Sequence, residues 1–117
     1  MFKPQFAPLV LNGTKRQTIR PMPKRLPAVG SSESWREWTG RPYRSPQGEL
    51  VKVRITAVEH IQIRRFMMVI NGVIQTPKQQ VEIAKADGFE LPIKMLIWFE
   101  LTHGLPFTGI LIKAEDL

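Results

Sequence analysis

From Val51 to Ile63 the chain alternates with a period of two. Val51, Val53, Ile55, Ala57, Ile61 and Ile63 occupy odd positions, and Lys52, Arg54, Thr56, His60 and Gln62 lie opposite them. Successive side chains of a strand point to opposite faces, so this stretch reads as a long strand with one buried face. Such a strand needs partners on its edges and cover on its apolar face, which commits the chain to a sheet-centred core. Glu59 breaks the rule by falling on the apolar face. Either a bulge near Val58 resets the register, or the carboxylate points inward toward a cation, for which an arginine of the segment before Pro21 is a natural partner.

The partners are legible in places. Met67-Met68-Val69-Ile70 and Val73-Ile74 flank Asn71-Gly72, the dipeptide preferred in two-residue type I′ turns, so Phe66 to Thr76 reads as a hairpin. Gly109 to Lys113 is a closing strand, with Ile110, Leu111 and Ile112 buried. Phe2, Phe6, Leu9 and Val10 have helical spacing, and Pro4 and Pro8 hold that helix to a turn or two. Thr76-Pro77 opens a second helix, with Thr as cap and Pro at its first position, running to about Ala86 and stopping at Gly88. Leu91 to His103 is a third helix, apolar nearly all round and expected to be core, ended by Gly104. His103 is then a C-terminal capping imidazole. Pro21 to Gly30 is a Pro-rich basic loop carrying Lys24 and Arg25. No repeat, low-complexity tract or linker divides the 117 residues, so one domain over 1–117 is expected.

The segment from Gly13 to Arg20 is the chemically dense one. It places Lys15, Arg16 and Arg20, two threonine hydroxyls and the Gln17 amide beside a single large apolar side chain, Ile19. A segment serving only the core would have to find partners for all these polar atoms. Asn12-Gly13 reads as a helix C-cap and Gln17 to Arg20 as a short strand ended by Pro21. In one continuous strand Thr14, Arg16, Thr18 and Arg20 would share a face and Lys15 would point away. Lys15 can therefore meet Thr18 only if the chain is still turning at Lys15. Asp87 stands at the end of the second helix, where the helix dipole disfavours a carboxylate and a nearby cation would offset it.

Net charge is +7, and its distribution is uneven. Residues 1–54 hold eleven Lys or Arg against three acids, whereas residues 55–117 hold six against seven. Such an excess attracts polyanions in a salt-dependent way, which points to nucleic acid or a nucleotide as partner. Between Ser31 and Leu50, Trp35, Trp38 and Tyr43 alternate with Arg36, Arg41 and Arg44. Rings that stack on bases between guanidiniums that hold phosphates suit single-stranded nucleic acid. The competing reading buries Trp35 and Trp38, three apart, on one face of a helical turn. Tyr43 and Arg44 lie among Pro42, Pro46 and Gly48 and are the better candidates for exposure.

Several chemistries are excluded or disfavoured. There is no cysteine, hence no disulfide, thiolate nucleophile or Cys-based zinc site, and two distant histidines make a structural metal improbable. Gly13-Thr14-Lys15 lacks the upstream glycine of a P-loop. No signal peptide and no bilayer-length apolar run is present, so a cytoplasmic location is the expectation, and no cofactor is implied. One arrangement remains. A desolvated Lys15 beside other cations would have a lowered pKa and serve as a base for the Thr18 hydroxyl, with Asp87 orienting the lysine.

Three stretches, in order, also carry a resemblance. Gly13-x-Lys15-x-x-Thr18-Ile19-Arg20 is similar to the signature of the ASCH domain, a small β-barrel family related to the PUA RNA-binding fold. Trp38-Thr39-Gly40-Arg41 resembles its aromatic-Thr-Gly-x-Arg segment. Ala86-Asp87-Gly88-Phe89 and the tail from His103 to Ile112 resemble its Asp-Gly-Phe and terminal-strand motifs. The resemblance implies an α+β fold: a small, mostly antiparallel β-barrel of PUA-like type with short flanking helices. One branch of that family deacylates N4-acetylcytidine with a Lys, a Thr and a Glu. The first two match Lys15 and Thr18, and the Glu falls about where the shorter Asp87 stands. Other members resemble RNA-binding modules or are associated with RNA cleavage. The aromatic at Trp38 is often a Tyr in such relatives, so a phenol-dependent role is not available there.

These readings converge on a cationic cleft lined by Lys15, Thr18, Arg20, Asp87 and Trp38, with Arg16, Lys24, Arg25, Arg41, Tyr43 and Arg44 as further nucleic-acid contacts. The first expectation is binding of RNA or a modified nucleoside. The alternatives are a small hydrolase, either an N4-acetylcytidine amidohydrolase or a ribonuclease, and a protein-partner module of a regulatory or mobile-element system.

Overall fold

The structure, a computed structural model, describes residues 5–38 and 47–117. Its elements run α1 (Ala7–Leu11), β1 (Gln17–Pro21), β2 (Ser32–Trp38), β3 (Gln47–Arg64), β4 (Met67–Ile70), β5 (Val73–Ile74), α2 (Pro77–Ala86), α3 (Pro92–His103) and β6 (Phe107–Asp116). The six strands form one antiparallel sheet in the order β1-β6-β3-β4-β5, with β2 also paired to β3.

β3 is the spine. One of its edges pairs with β6 from Val53 to Ile63. The other is shared end to end by β2, which pairs through Arg54, and β4, which starts pairing at Ile61. Among the described residues the sheet does not close into the expected barrel: its terminal strands, β1 and β5, are not bonded to each other. β5 has only two residues, both exposed, and offers β1 too little edge to close upon.

The alternation in β3 does not bury a single face. Ile55 pairs with Ala114 while Ala57 pairs with Lys113, so Thr56 is an inserted bulge residue. Cross-strand partners share a face and neighbours in a strand do not. The odd-numbered residues therefore change sides at Thr56. Before it, Val53 packs with Phe6, Val10 and Trp35, and Ile55 with Ile110 and Ile112. After it, Ile61 and Ile63 pack with Met68, Phe107, Leu111 and the inner faces of α2 and α3. Phe89 and Trp98 contact both the Val53 and the Ile61 clusters and join them. The bulge lies two residues before the expected site, and Glu59 stays on the α2 side, where Lys113 rather than a motif arginine pairs with it at 3.1 Å.

Local sequence accounts for most boundaries. Asn71 and Gly72 both have positive φ, as a type I′ turn demands. Thr76 caps α2 through a reciprocal capping box with Gln79, and Pro77 takes the first turn. α1 ends at Asn12, followed by Gly13 in the left-handed region. Two expectations need correction. Ser32–Trp38 is a strand, not a helical turn, and Trp35 is buried within it. Its sequence carries no apolar alternation, and only its pairing with β3 makes it a strand. α3 is not core all round: Met95, Leu96 and Phe99 are buried, while Ile93, Ile97 and Leu101 face solvent. No described helix is long and apolar enough to cross a membrane.

Candidate functional site

The site forms where five short segments meet. Gly88, at φ +97°, ends α2, and a Cβ there would lie 3.0 Å from Leu9 and 3.2 Å from Phe6. Glycine thus serves two needs at once: the left-handed cap and the close approach of α1. That approach brings the turn after α1 onto the C-terminus of α2. Residues 14–16 are outside any strand, and Lys15 N–H donates to Leu9 O across the turn. The chain is still turning at Lys15, the condition under which Lys15 and Thr18 can line one space.

Lys15 Nζ donates to the Asp87 backbone oxygen at 2.7 Å and to its Oδ1 at 3.0 Å. The cation sits at the negative end of α2, on a carbonyl that the helix itself leaves unbonded. It also lies over the Phe6 ring, 4.9 Å from the centroid. Gln17 Nε2 donates to the same Oδ1 and to Ile83 O, both at 3.3 Å. Both partners of the ion pair are buried. Burial holds Lys15 below the ordinary amine range, against the opposing pull of the Asp87 charge and hydrogen bond. Burial likewise pushes the Asp87 carboxyl up, opposed by Lys15 and Gln17. The cause of the Lys15 shift is desolvation, not repulsion from Arg16 and Arg20.

Above this pair opens a cleft of about 300 Å³ lined by Phe6, Lys15, Thr18, Arg20, Trp98 and His103, among others. Thr18 makes no side-chain hydrogen bond among the described residues and keeps its hydroxyl available. Arg20 is held from its far side: Nη2 and Nη1 donate to Glu33 Oε1 at 2.8 Å and Oε2 at 3.2 Å. Trp35 Nε1–H donates to Glu33 Oε1 at 3.2 Å. Partial burial alone would raise Glu33, but the bonds and charge of Arg20, with the Trp35 donor, hold its carboxyl below the usual range.

The cleft therefore gathers Lys15, Thr18, Arg20 and Asp87, four of the five residues the sequence places together. It does not gather Arg16, which pairs with Asp116 and the Val10 and Lys15 carbonyls, nor Lys24 and Arg25, which are exposed on the loop after β1. Arg41, Tyr43 and Arg44 lie outside the described residues, as does the side chain of Trp38. Four contributors were missed. Glu33 carries no signal of its own in the sequence. Phe6 and Trp98 read as core, and His103 as a helix cap. His103 is indeed the last residue of α3, yet its ring packs against Trp98, Phe99 and Phe107 at the cleft wall.

No group of three or more His, Asp or Glu is arranged to hold a metal among the described residues. No family model, curated protein or solved structure matches the chain.

Proposed function

We propose that the cleft binds a single modified nucleoside, in the manner of an ASCH-like domain. The observation that carries this reading is the buried Lys15–Asp87 pair on the floor of a space of about 300 Å³. A volume of that order suits one small ligand, not a run of nucleotides. The wall carries the Trp98 indole, a hydroxyl at Thr18 and donors at Arg20, groups of the kind that contact and hydrogen-bond one heterocycle. The ASCH-like family assignment rests on the three ordered motifs and on the way the Gly13–Arg20 and Asp87-Gly88 motifs meet at the cleft.

A second reading, hydrolysis of an acylated cytidine, is favoured by one specific observation. Lys15 is desolvated and held below its ordinary pKa in the same cleft as the Thr18 hydroxyl, which makes no side-chain hydrogen bond among the described residues. The neutral amine would take the Thr18 proton as the hydroxyl oxygen attacks the amide carbon, and would return it to the departing cytidine amine, leaving an acetyl ester on Thr18; the same amine would then take a proton from a water that attacks this ester, releasing acetate and restoring the hydroxyl. Asp87, bonded to Nζ, fixes where that amine sits.

Calorimetric titration with cytidine and N4-acetylcytidine tests binding, and chromatography of the second reaction mixture tests turnover. Saturable nucleoside binding is the expected result for the wild type, and Thr18→Val is expected to abolish any turnover while retaining binding. Absence of binding by either nucleoside would remove the proposed function.

A further inference from the structure

Although the chain as a whole is strongly basic, the described lining of its cleft is charge-matched. Among the described residues the Lys and Arg that line it, Lys15 and Arg20, each lie against a carboxylate, Asp87 and Glu33 respectively. Among the described residues, Lys24 and Arg25 sit on the exposed loop beyond β1 and are not part of its lining. Local charge, not net charge, sets which ligands a small enclosed site accepts, because burial strengthens short-range interactions and weakens screening.

The Arg20–Glu33 contact is built rather than incidental. Glu33 is fixed from two sides, by the end-on pair of Arg20 bonds and by the indole N–H of Trp35. Trp35 is itself 1% exposed, locked among Phe6, Val10 and Val53. β2 and β1 are not neighbours in the sheet, so this clamp spans the strands and holds the guanidinium plane in one orientation. Glu33 occupies the end of the guanidinium formed by Nη1 and Nη2. The Nε–H makes no hydrogen bond among the described residues and remains for a ligand.

Resting on the nucleoside-binding reading above, we infer that the Arg20–Glu33 pair sets the ligand's charge class. Arg20 presents its remaining N–H groups to neutral carbonyl or ring-nitrogen acceptors of an uncharged nucleoside. The Glu33 carboxylate turns away the phosphate of the corresponding nucleotide. Glu33 is a positioning and charge-compensating residue that does not itself touch the ligand.

The test compares equilibrium binding of cytidine and N4-acetylcytidine with that of their 5′-monophosphates. The wild type is expected to hold the nucleoside at least about tenfold more tightly than its monophosphate. Glu33→Gln keeps an amide oxygen for the Trp35 N–H while removing the negative charge, and is expected to shrink that ratio by about tenfold or invert it. A wild type that prefers the monophosphate overturns the inference without any variant. A nucleoside-preferring wild type whose ratio is unchanged in a folded Glu33→Gln protein overturns it while leaving the nucleoside site standing. Failure of the wild type to bind either ligand removes both.

Discussion

Lys15 and Asp87, 72 residues apart in the chain, meet in a buried ion pair whose amine also binds the Asp87 main-chain oxygen. One lysine thereby closes the end of α2, ties α1 to it and forms the cleft floor. Its cost and its value follow from desolvation: each charge is tolerable only while the other is present.

Removing one partner should therefore be worse than removing both. Asp87→Ala is expected to cost about 3–5 kcal/mol in urea unfolding, since it strands a buried ammonium. Lys15→Met combined with Asp87→Leu is expected to be close to neutral or more stable than wild type. Additive losses from the two single changes would contradict the buried-pair account.

The pH dependence of turnover has a definite sign. The reacting form of Lys15 is the neutral amine, and its pKa lies below the ordinary 10.5. On the hydrolase reading, kcat/KM for N4-acetylcytidine should rise with pH and level off at a lower pH than an ordinary lysine would allow. A rise centred at 10.5 or above would show that the amine is not desolvated when it reacts.

Glu33 should leave a mark on acid stability. Its folded pKa lies below 4.5, so in the window beneath that value the unfolded chain binds more protons than the native one. The Glu33 contribution is present above pH 4.5 and is lost as pH falls through the folded value. The stability difference between wild type and Glu33→Gln should accordingly narrow on acidification, measured by denaturant titration. Asp87 is raised and acts in the opposite direction in both proteins, so it cancels in that comparison.

Gly109 pairs with Pro21 at the end of the ladder between β6 and β1. A Cβ there would lie 2.1 Å from Arg20 O and 2.8 Å from the Phe107 ring. Gly109→Ala must push β1 off the sheet, and a loss of about 3 kcal/mol or more is expected on denaturation, at the upper end for overpacking. Because Arg20 rides on β1, nucleoside affinity should fall with it.

Lys24 and Arg25 lie outside the cleft. Replacing both with alanine should leave nucleoside affinity within about twofold, while any association with RNA weakens and its salt slope shrinks by about two. Loss of nucleoside binding would place the basic loop at the ligand after all.

Much of this was legible from local chemistry. The Asn71-Gly72 turn, the Thr76-Pro77 start of α2 and the Asn12-Gly13 end of α1 each depend on a few adjacent residues with strong conformational preferences. The parity of Gly13 to Arg20 likewise makes a turn at Lys15 the condition for Lys15 and Thr18 to share a space, and the chain does turn there, with both residues lining one cleft. β2 was not legible, because Ser32–Trp38 owes its strand conformation to a partner and not to its own pattern. Nor was the solvent face of α3 over Ile93, Ile97 and Leu101, since composition does not say which side of an apolar helix is covered.

The sequence by itself determined the elements whose causes are local: caps, turns, the hairpin and the alternation of β3. It also placed Lys15, Thr18, Arg20 and Asp87 in one group. Only the tertiary structure decided that Thr56 splits the β3 stripe between two faces, that the sheet stays open, and that Arg20 is matched by Glu33. Each of these depends on register and contact between distant segments. The charge of a site is a pairwise, short-range property that net composition does not carry.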